Sequence, residues 1–247
     1  MTENKKENLN NRMIKFLFEG APVRGACVQM AEEWQEMIKF HHYPENVAAL
    51  LGQFTAGALL LSSTIKFEGS LILQVKGSGP ITFIYAEVRN PMSVRAMAEI
   101  REGAEIKPEM DLQELINKDG KGLCALILDP KDRRPGVQPY QGMVSLESNS
   151  VAENLENYMA KSEQLETKLY LAADCKKLGG LVIQKMPSVG GNVSEISDPD
   201  AWGRIMQLAH TVTKEELLNV PAVRHTDLKC ALPVPPSDTP PEPSHSA

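Results

Sequence analysis

Four cysteines and five histidines are the residues of this chain best suited to metal binding, redox or nucleophilic chemistry. The cysteines are Cys27, Cys124, Cys175 and Cys230. No two stand close enough for a C-x-C or C-x-x-C pair, the spacing by which one loop offers two thiolates to zinc or closes a reactive disulfide. A zinc ribbon, a thioredoxin-like motif and a secreted disulfide framework all lose sequence support. The histidines, His41, His42, His210, His225 and His245, have no ligand-like spacing and read as surface or capping residues. Cys27 and Cys124 lie in apolar strand-like runs and read as inert core thiols. Cys175 is a redox candidate, because in Asp174-Cys175-Lys176-Lys177 the lysines are expected to lower the thiol pKa and favour the thiolate. Cys230, beside a Pro-rich tail, is the second redox candidate.

Other catalytic signatures are missing from the sequence. It has no G-x-S-x-G elbow and no H-E-x-x-H helix. Gly77-x-Gly79 lacks the third glycine of a dinucleotide loop, and Gly120-Lys121-Gly122 lacks the flanks of a phosphate-binding loop; both read as turns. No general acid/base pair is identifiable, so no catalytic residue is assigned. The 247 residues are 42 % apolar and 23 % charged, a globular composition that excludes collagen-like and wholly disordered classes. A net charge of −6 gives no field that draws nucleic acid or an anionic membrane, so neither is expected as a partner. The polar start, Met1 to Arg12, has no signal-peptide core, and a cytoplasmic location is expected.

The elements that would hold these residues follow from periodicity. Ile14, Phe16 and Phe18 alternate as a strand, and Trp34, Met37 and Ile38 fall at helical spacing within 31–40, before His41-His42-Tyr43-Pro44 ends the helix. Residues 46–65 carry no charge, the length of a membrane span. Gly52, Gln53, Gly57, Ser62, Ser63 and Thr64 make that span too polar for lipid, so a buried core helix is expected. Residues 71–76 and 81–85 form a hairpin about the turn Gly77-Ser78-Gly79-Pro80. Strands follow at 123–128 and 140–146, a helix at 151–162, and strands at 168–173 and 181–185 that flank Gly179-Gly180 as a turn. The fold class is α/β of the α+β type: mixed, largely antiparallel sheets packed with a buried apolar helix, then a helical linker and a disordered tail.

Three parts are drawn on that basis: a core domain over 1–187, a helical linker over 188–222 and a Pro-rich tail over 223–247. The linker begins Gly- and Ser-rich, and Ser197-Asp198-Pro199 reads as a helix start. Trp202, Ile205, Met206 and Ala209 then fall on one helical face. Thr213-Lys214-Glu215-Glu216 is a capping box for a second short helix bearing Leu217 and Leu218. Two readings of these residues, with Leu208, stay open. They dock on the core and complete it, or they form a detachable apolar surface that suits many partners.

The ordered motifs resemble a known family. Phe16-Leu17-Phe18-Glu19, Val23-Arg24-Gly25, Tyr43-Pro44, Leu50-Leu51-Gly52, Ile65-Lys66-Phe67-Glu68-Gly69 and Gly77-Ser78-Gly79-Pro80 stand in order. Tyr140-Gln141-Gly142-Met143-Val144, Tyr158, Ser162-Glu163-Gln164-Leu165-Glu166-Thr167, Gly179-Gly180 and Gln184-Lys185-Met186-Pro187 follow, and Thr213 to Leu218 with Pro221 close the match. Over about residues 13 to 222 the chain resembles the 33 kDa chaperonin family, the redox-regulated heat-shock holdases.

That resemblance implies an ATP-independent chaperone, not an enzyme, that binds unfolded or aggregation-prone proteins and dimerises when active. It also implies one zinc held by four C-terminal cysteines of a C-x-C and C-x-x-C set, released when oxidation forms two disulfides and unfolds the linker. After Pro221 the sequence departs. Lys229-Cys230-Ala231-Leu232 has one cysteine, and Leu232 stands where a second is needed. No cofactor and no metal site are therefore expected in this chain. The break reads as a truncated or frame-shifted gene. The expected function is a holdase without the zinc/thiol switch, with Trp202, Ile205, Met206, Leu217 and Leu218 as client-binding residues. The alternatives are an inactive fragment, or a small-molecule enzyme on the α/β core that no motif supports.

Overall fold

The computed structural model describes residues 12–65, 67–89, 93–132, 138–186 and 200–220, and the backbone of 231–233. In chain order the elements are β1 (Arg12–Phe18), β2 (Val23–Met30), α1 (Glu32–Ile38), α2 (Glu45–Thr64), β3 (Gly69–Lys76), β4 (Ile81–Arg89) and β5 (Ser93–Ile100). After these come α3 (Leu112–Ile116), β6 (Leu123–Pro130), β7 (Tyr140–Ser145), α4 (Val151–Ser162), β8 (Thr167–Ala173) and β9 (Leu178–Lys185). The chain closes with α5 (Ala201–Ala209), α6 (Lys214–Asn219) and β10 (Ala231–Pro233).

Two five-stranded antiparallel sheets result, ordered β10-β1-β2-β9-β8 and β5-β4-β3-β6-β7. The uncharged helix α2 lies between them and packs against both. Of its 20 residues, 14 are buried, so the apolar run serves the protein core rather than a bilayer. Close packing there needs small residues. A Cβ on Gly52 would lie 2.4 Å from the Ala173 Cβ of β8. The inner faces of both sheets, α2 and α4 share one core that includes Phe54, Leu60, Leu73, Ile84, Leu126, Leu155 and Val182.

The sheet β10-β1-β2-β9-β8 is buried on both sides. Its outer face carries a second apolar cluster of Phe16, Phe18, Val23, Cys27, Ala172, Leu181 and Ile183, covered by Ala209 and Leu217 of α5 and α6. Burial on two faces explains why β2 and β9 read as nearly continuous apolar runs rather than alternating ones.

One expected element is corrected. Gly179-Gly180 is not a turn but lies inside β9, and the turn is Asp174 to Lys177. There the Asp174 carboxylate accepts from the Lys176 and Lys177 amides at 2.6 and 2.7 Å, the usual work of an Asp in a turn. The glycines serve close approach instead. A Cβ on Gly180 would meet Leu60 of α2 at 2.8 Å, and one on Gly179 would meet the Leu217 carbonyl oxygen at 2.1 Å. The start signal Ser197-Asp198-Pro199 lies outside the described residues; α5 follows Asp200, which makes no side-chain cap bond. Of the expected Pro-rich tail, Ala231–Pro233 pairs antiparallel with Phe16–Phe18, and the remainder lies outside the described residues.

Candidate functional site

The two linker helices sit on the outer face of the first sheet, and specific residues hold them there. Thr213 caps α6 as its sequence predicts: its hydroxyl accepts from the Glu216 amide at 3.2 Å, and the Glu216 carboxylate accepts from the Thr213 amide at 2.8 Å. The cap aims the far end of α6 at the pair Gln29 and Gly179, which face each other across β2 and β9. The buried Gln29 amide donates to the Leu217 and Val220 carbonyls at 2.9 and 2.5 Å. Those are carbonyls a helix end leaves without an intrahelical donor. Gly179, lacking a side chain, lets the same Leu217 carbonyl come down onto the sheet. Around this latch Lys177 Nζ donates to the Asn219 side-chain oxygen at 3.0 Å, and the Tyr170 hydroxyl meets His210 Nδ1 at 3.4 Å.

Packing around the latch is uneven. Leu217 and Ala209 are buried, at 4 % and 0 % exposure, whereas Leu208 is 53 % exposed. Trp202, Ile205, Met206 and Leu218 are half-buried against the same cluster. Lys185 Nζ lies 6.0 Å from the Trp202 ring centre, the outer limit of a cation–π contact. Full burial of one leucine stabilises by about 1.5–3 kcal/mol, and each net hydrogen bond by about 1 kcal/mol. These two helices form a lid held on the apolar sheet face by the buried Ala209 and Leu217, four half-buried apolar side chains and the Gln29 latch.

The structure brings Trp202, Ile205, Met206, Leu217 and Leu218 together on one lid. It does not bring the cysteines together. Cys27 lies under the lid, Cys124 lies in the core of the second sheet, Cys175 lies in the β8–β9 turn, and Cys230 lies outside the described residues. Among the described residues no group of three or more His, Cys, Asp or Glu could hold a metal ion. The C-terminal segment in which the resemblance would place zinc ligands lies outside the described residues, apart from the backbone of 231–233.

The expected activation of Cys175 is corrected. Its thiol is pushed up, first by partial desolvation in the turn, then by Glu45 and Asp174. Partial burial and two carboxylates nearby in space, rather than the lysines beside it in sequence, set the direction. Burial pushes the Cys27 and Cys124 thiols up to about 12. An unfolded chain releases these protons near the ordinary value of about 8.5, so from there upward the folded state binds more protons. The stabilisation is complete below that pH and is lost as pH rises toward 12. The stability of the parent chain should therefore fall between about pH 9 and 12 more steeply than that of Cys27→Ala, as read by urea unfolding at each pH. Parallel slopes would contradict a neutral, buried Cys27.

A separate cleft of ≈ 360 Å³ opens at the C-terminal end of α2. It is mostly apolar, lined by Met13, Ile65, Phe67 and Leu128, with Lys15 and Arg89 also on its wall. Its Ser62 and Ser63 hydroxyls donate to their own helix at 2.7 and 2.6 Å.

The sequence carries no signal for Gln29, an isolated amide in an apolar strand, and Gly179 signals flexibility there rather than lack of bulk. Comparison with known proteins adds the following. The family model described as Hsp33 protein matches residues 11–229. A protein named 33 kDa chaperonin from Methylobacillus flagellatus is 38 % identical over 216 residues, covering 87 % of this chain and 69 % of that relative. One of the same name from Nitrosococcus oceani is 40 % identical over 216 residues, with 87 % and 69 % covered. The crystal structure of the 33 kDa chaperonin from Thermotoga maritima shares the fold, with a TM-score of 0.65 at 20 % identity over 83 % of this chain and 69 % of that one.

Proposed function

The chain belongs to the Hsp33 protein family, and we propose that it is an ATP-independent holdase that captures unfolding proteins on surfaces exposed when α5 and α6 lift. The observation that carries this reading is the pair of apolar surfaces meeting at the lid: the half-buried side chains of Trp202, Ile205, Met206 and Leu218 above, and Phe16, Phe18, Leu181 and Ile183 below. Both are shielded while the latch is closed. Methionine and tryptophan adapt to many apolar shapes, which fits a binder of unrelated clients. The protein works in the bacterial cytoplasm and binds rather than transforms its partners.

The described cysteines do not converge, so lid opening follows temperature and client concentration rather than a thiol switch within these residues. Light scattering from a thermally unfolding client, in reducing buffer with a zinc chelator, tests this. Suppression of aggregation is expected, and to the same extent after peroxide treatment. No suppression under either condition sinks the holdase reading; suppression only after peroxide sinks the claim that the lid opens without a thiol switch.

A further inference from the structure

Leaving aside the short β10, the two sheets end in four strands, β1, β8, β5 and β7, and the outer edges of three of them receive hydrogen bonds from another element. At β5 the Tyr43 hydroxyl donates to the Ala98 carbonyl at 2.9 Å and accepts from the Ala98 amide at 3.0 Å, taking the place of a neighbouring strand. At β8 the Glu156 carboxylate of α4 accepts from the Leu169 amide at 2.8 Å. At β1 the backbone of Ala231–Pro233 pairs with Phe16–Phe18. Exposed strand edges template pairing with other chains, and such covers are the usual protection.

The fourth edge is β7, and it is built differently. The Leu146 amide donates to the Gly122 carbonyl at 3.0 Å, one step beyond the register Leu123↔Ser145. Antiparallel pairs alternate between bonded and non-bonded positions. Gly142 and Val144 therefore turn their backbone groups toward β6, while Gln141, Met143 and Ser145 turn theirs outward. Among the described residues no hydrogen bond from another element reaches those outward groups. The strand, Tyr-Gln-Gly-Met-Val-Ser, carries no charge and no proline, the residues that ordinarily guard an edge. On it stands Met143 at 62 % exposure, and beside it Leu123 of β6 at 45 %.

We propose that the outer edge of β7 is an acceptor for an extended segment of an unfolding protein, which adds to the second sheet as a further strand. Backbone pairing is blind to sequence, and the flanking Met143 and Leu123 reward an apolar side chain. The fold already accepts an extended segment in this manner at β1. This rests on the holdase reading and deepens it: β7 lies on the sheet without the lid, so it engages clients while α5 and α6 stay docked.

Amide hydrogen exchange of the full chain with reduced, carboxymethylated lactalbumin, a polypeptide that cannot refold, tests the assignment. The Gln141, Met143 and Ser145 amides should slow on binding. Met143→Pro removes one outward donor without touching the β6 ladder, and should weaken binding about fivefold, the worth of one hydrogen bond. Met143→Lys, which keeps the amide but charges the edge, should weaken it in the same direction should the proline variant fold poorly. Binding with no slowing at β7, unaltered in both variants, overturns the edge assignment and leaves the holdase reading standing. No binding at all overturns both. Slowing that depends on the concentration of the protein alone, without lactalbumin, assigns the edge to a second copy and overturns the client assignment.

Discussion

Gly179→Ala is expected to raise aggregation suppression about tenfold per mole in reducing buffer, with the core as stable as before. The reasoning is steric. An added Cβ would lie 2.1 Å from the Leu217 carbonyl oxygen and 2.9 Å from its carbonyl carbon. The obstruction is helix backbone, not the tip of a flexible side chain, so α6 must lift. Overpacking of this kind costs about 1–3 kcal/mol, and 1.4 kcal/mol shifts an equilibrium about tenfold. The strand itself tolerates alanine, since Gly179 does not occupy a left-handed conformation. Tryptophan emission gives a second readout. Of the two tryptophans, Trp34 is fully buried and Trp202 lies on the lid, so a red shift at constant melting temperature reports lid opening alone. Gln29→Leu, which leaves the Leu217 and Val220 carbonyls without their buried donor, should act in the same direction. Unchanged emission and unchanged suppression in Gly179→Ala would show that this contact does not hold the lid.

How much of this was readable before the structure depends on whether the cause is local. Helix α2 announced itself because 20 residues without charge have few other uses in a globular chain. The 69–89 hairpin was legible from Gly77-Ser78-Gly79-Pro80, and the Thr213 cap from three residues of spacing, because a turn and a cap satisfy their own backbone. Strand β5 was missed: Ser-Val-Arg-Ala-Met-Ala-Glu-Ile buries little more than Ala96 and Ala98, and small side chains give a weak alternation. Helix α3 was missed because it has five residues, too few for a period. Gly179 and Gly180 were misread because glycine signals two different needs, a left-handed backbone and the absence of a Cβ, and only contacts with Leu217 and Leu60 separate them.

The site was legible only in part for the same reason. Helical spacing gave the apolar faces of α5 and α6, but not what would cover them. The covering residues lie far along the chain, Gln29 being 188 positions from Leu217. Cys175 shows the converse error. Its sequence neighbours are lysines, yet its sulfur feels Glu45, brought near by the fold. Edges were illegible altogether, since the guard at β5 is a hydroxyl from Tyr43, 55 positions from Ala98. In the sequence, Tyr43 stands only as part of a helix stop.

Trp34→Ala should cost about 3–5 kcal/mol, as truncation of a fully buried tryptophan does, and lower the melting temperature by about 10 °C for a domain of this size. Trp34 is 0 % exposed, and its indole N–H donates to the Asp174 carbonyl at 2.8 Å. Its ring also fills the space beside Gly52, 3.2 Å from where a Cβ would stand. One side chain thus ties α1 to α2 and to the β8–β9 turn. Removing it leaves a void and an unpaired carbonyl in a turn whose Lys177 also reaches Asn219 on the lid. The loss should therefore spread in a particular direction: exchange at the Lys176 and Lys177 amides accelerates before that of β3 or β6. Trp34→Phe keeps most of the volume and loses only the donor, so its cost should be about 1–2 kcal/mol, chiefly at the turn. Urea unfolding fixes the totals, and a Trp34→Ala loss below about 1 kcal/mol would show that the three elements hold together without it. Because the turn reaches the lid through Lys177 and Asn219, the same variant should also loosen α6.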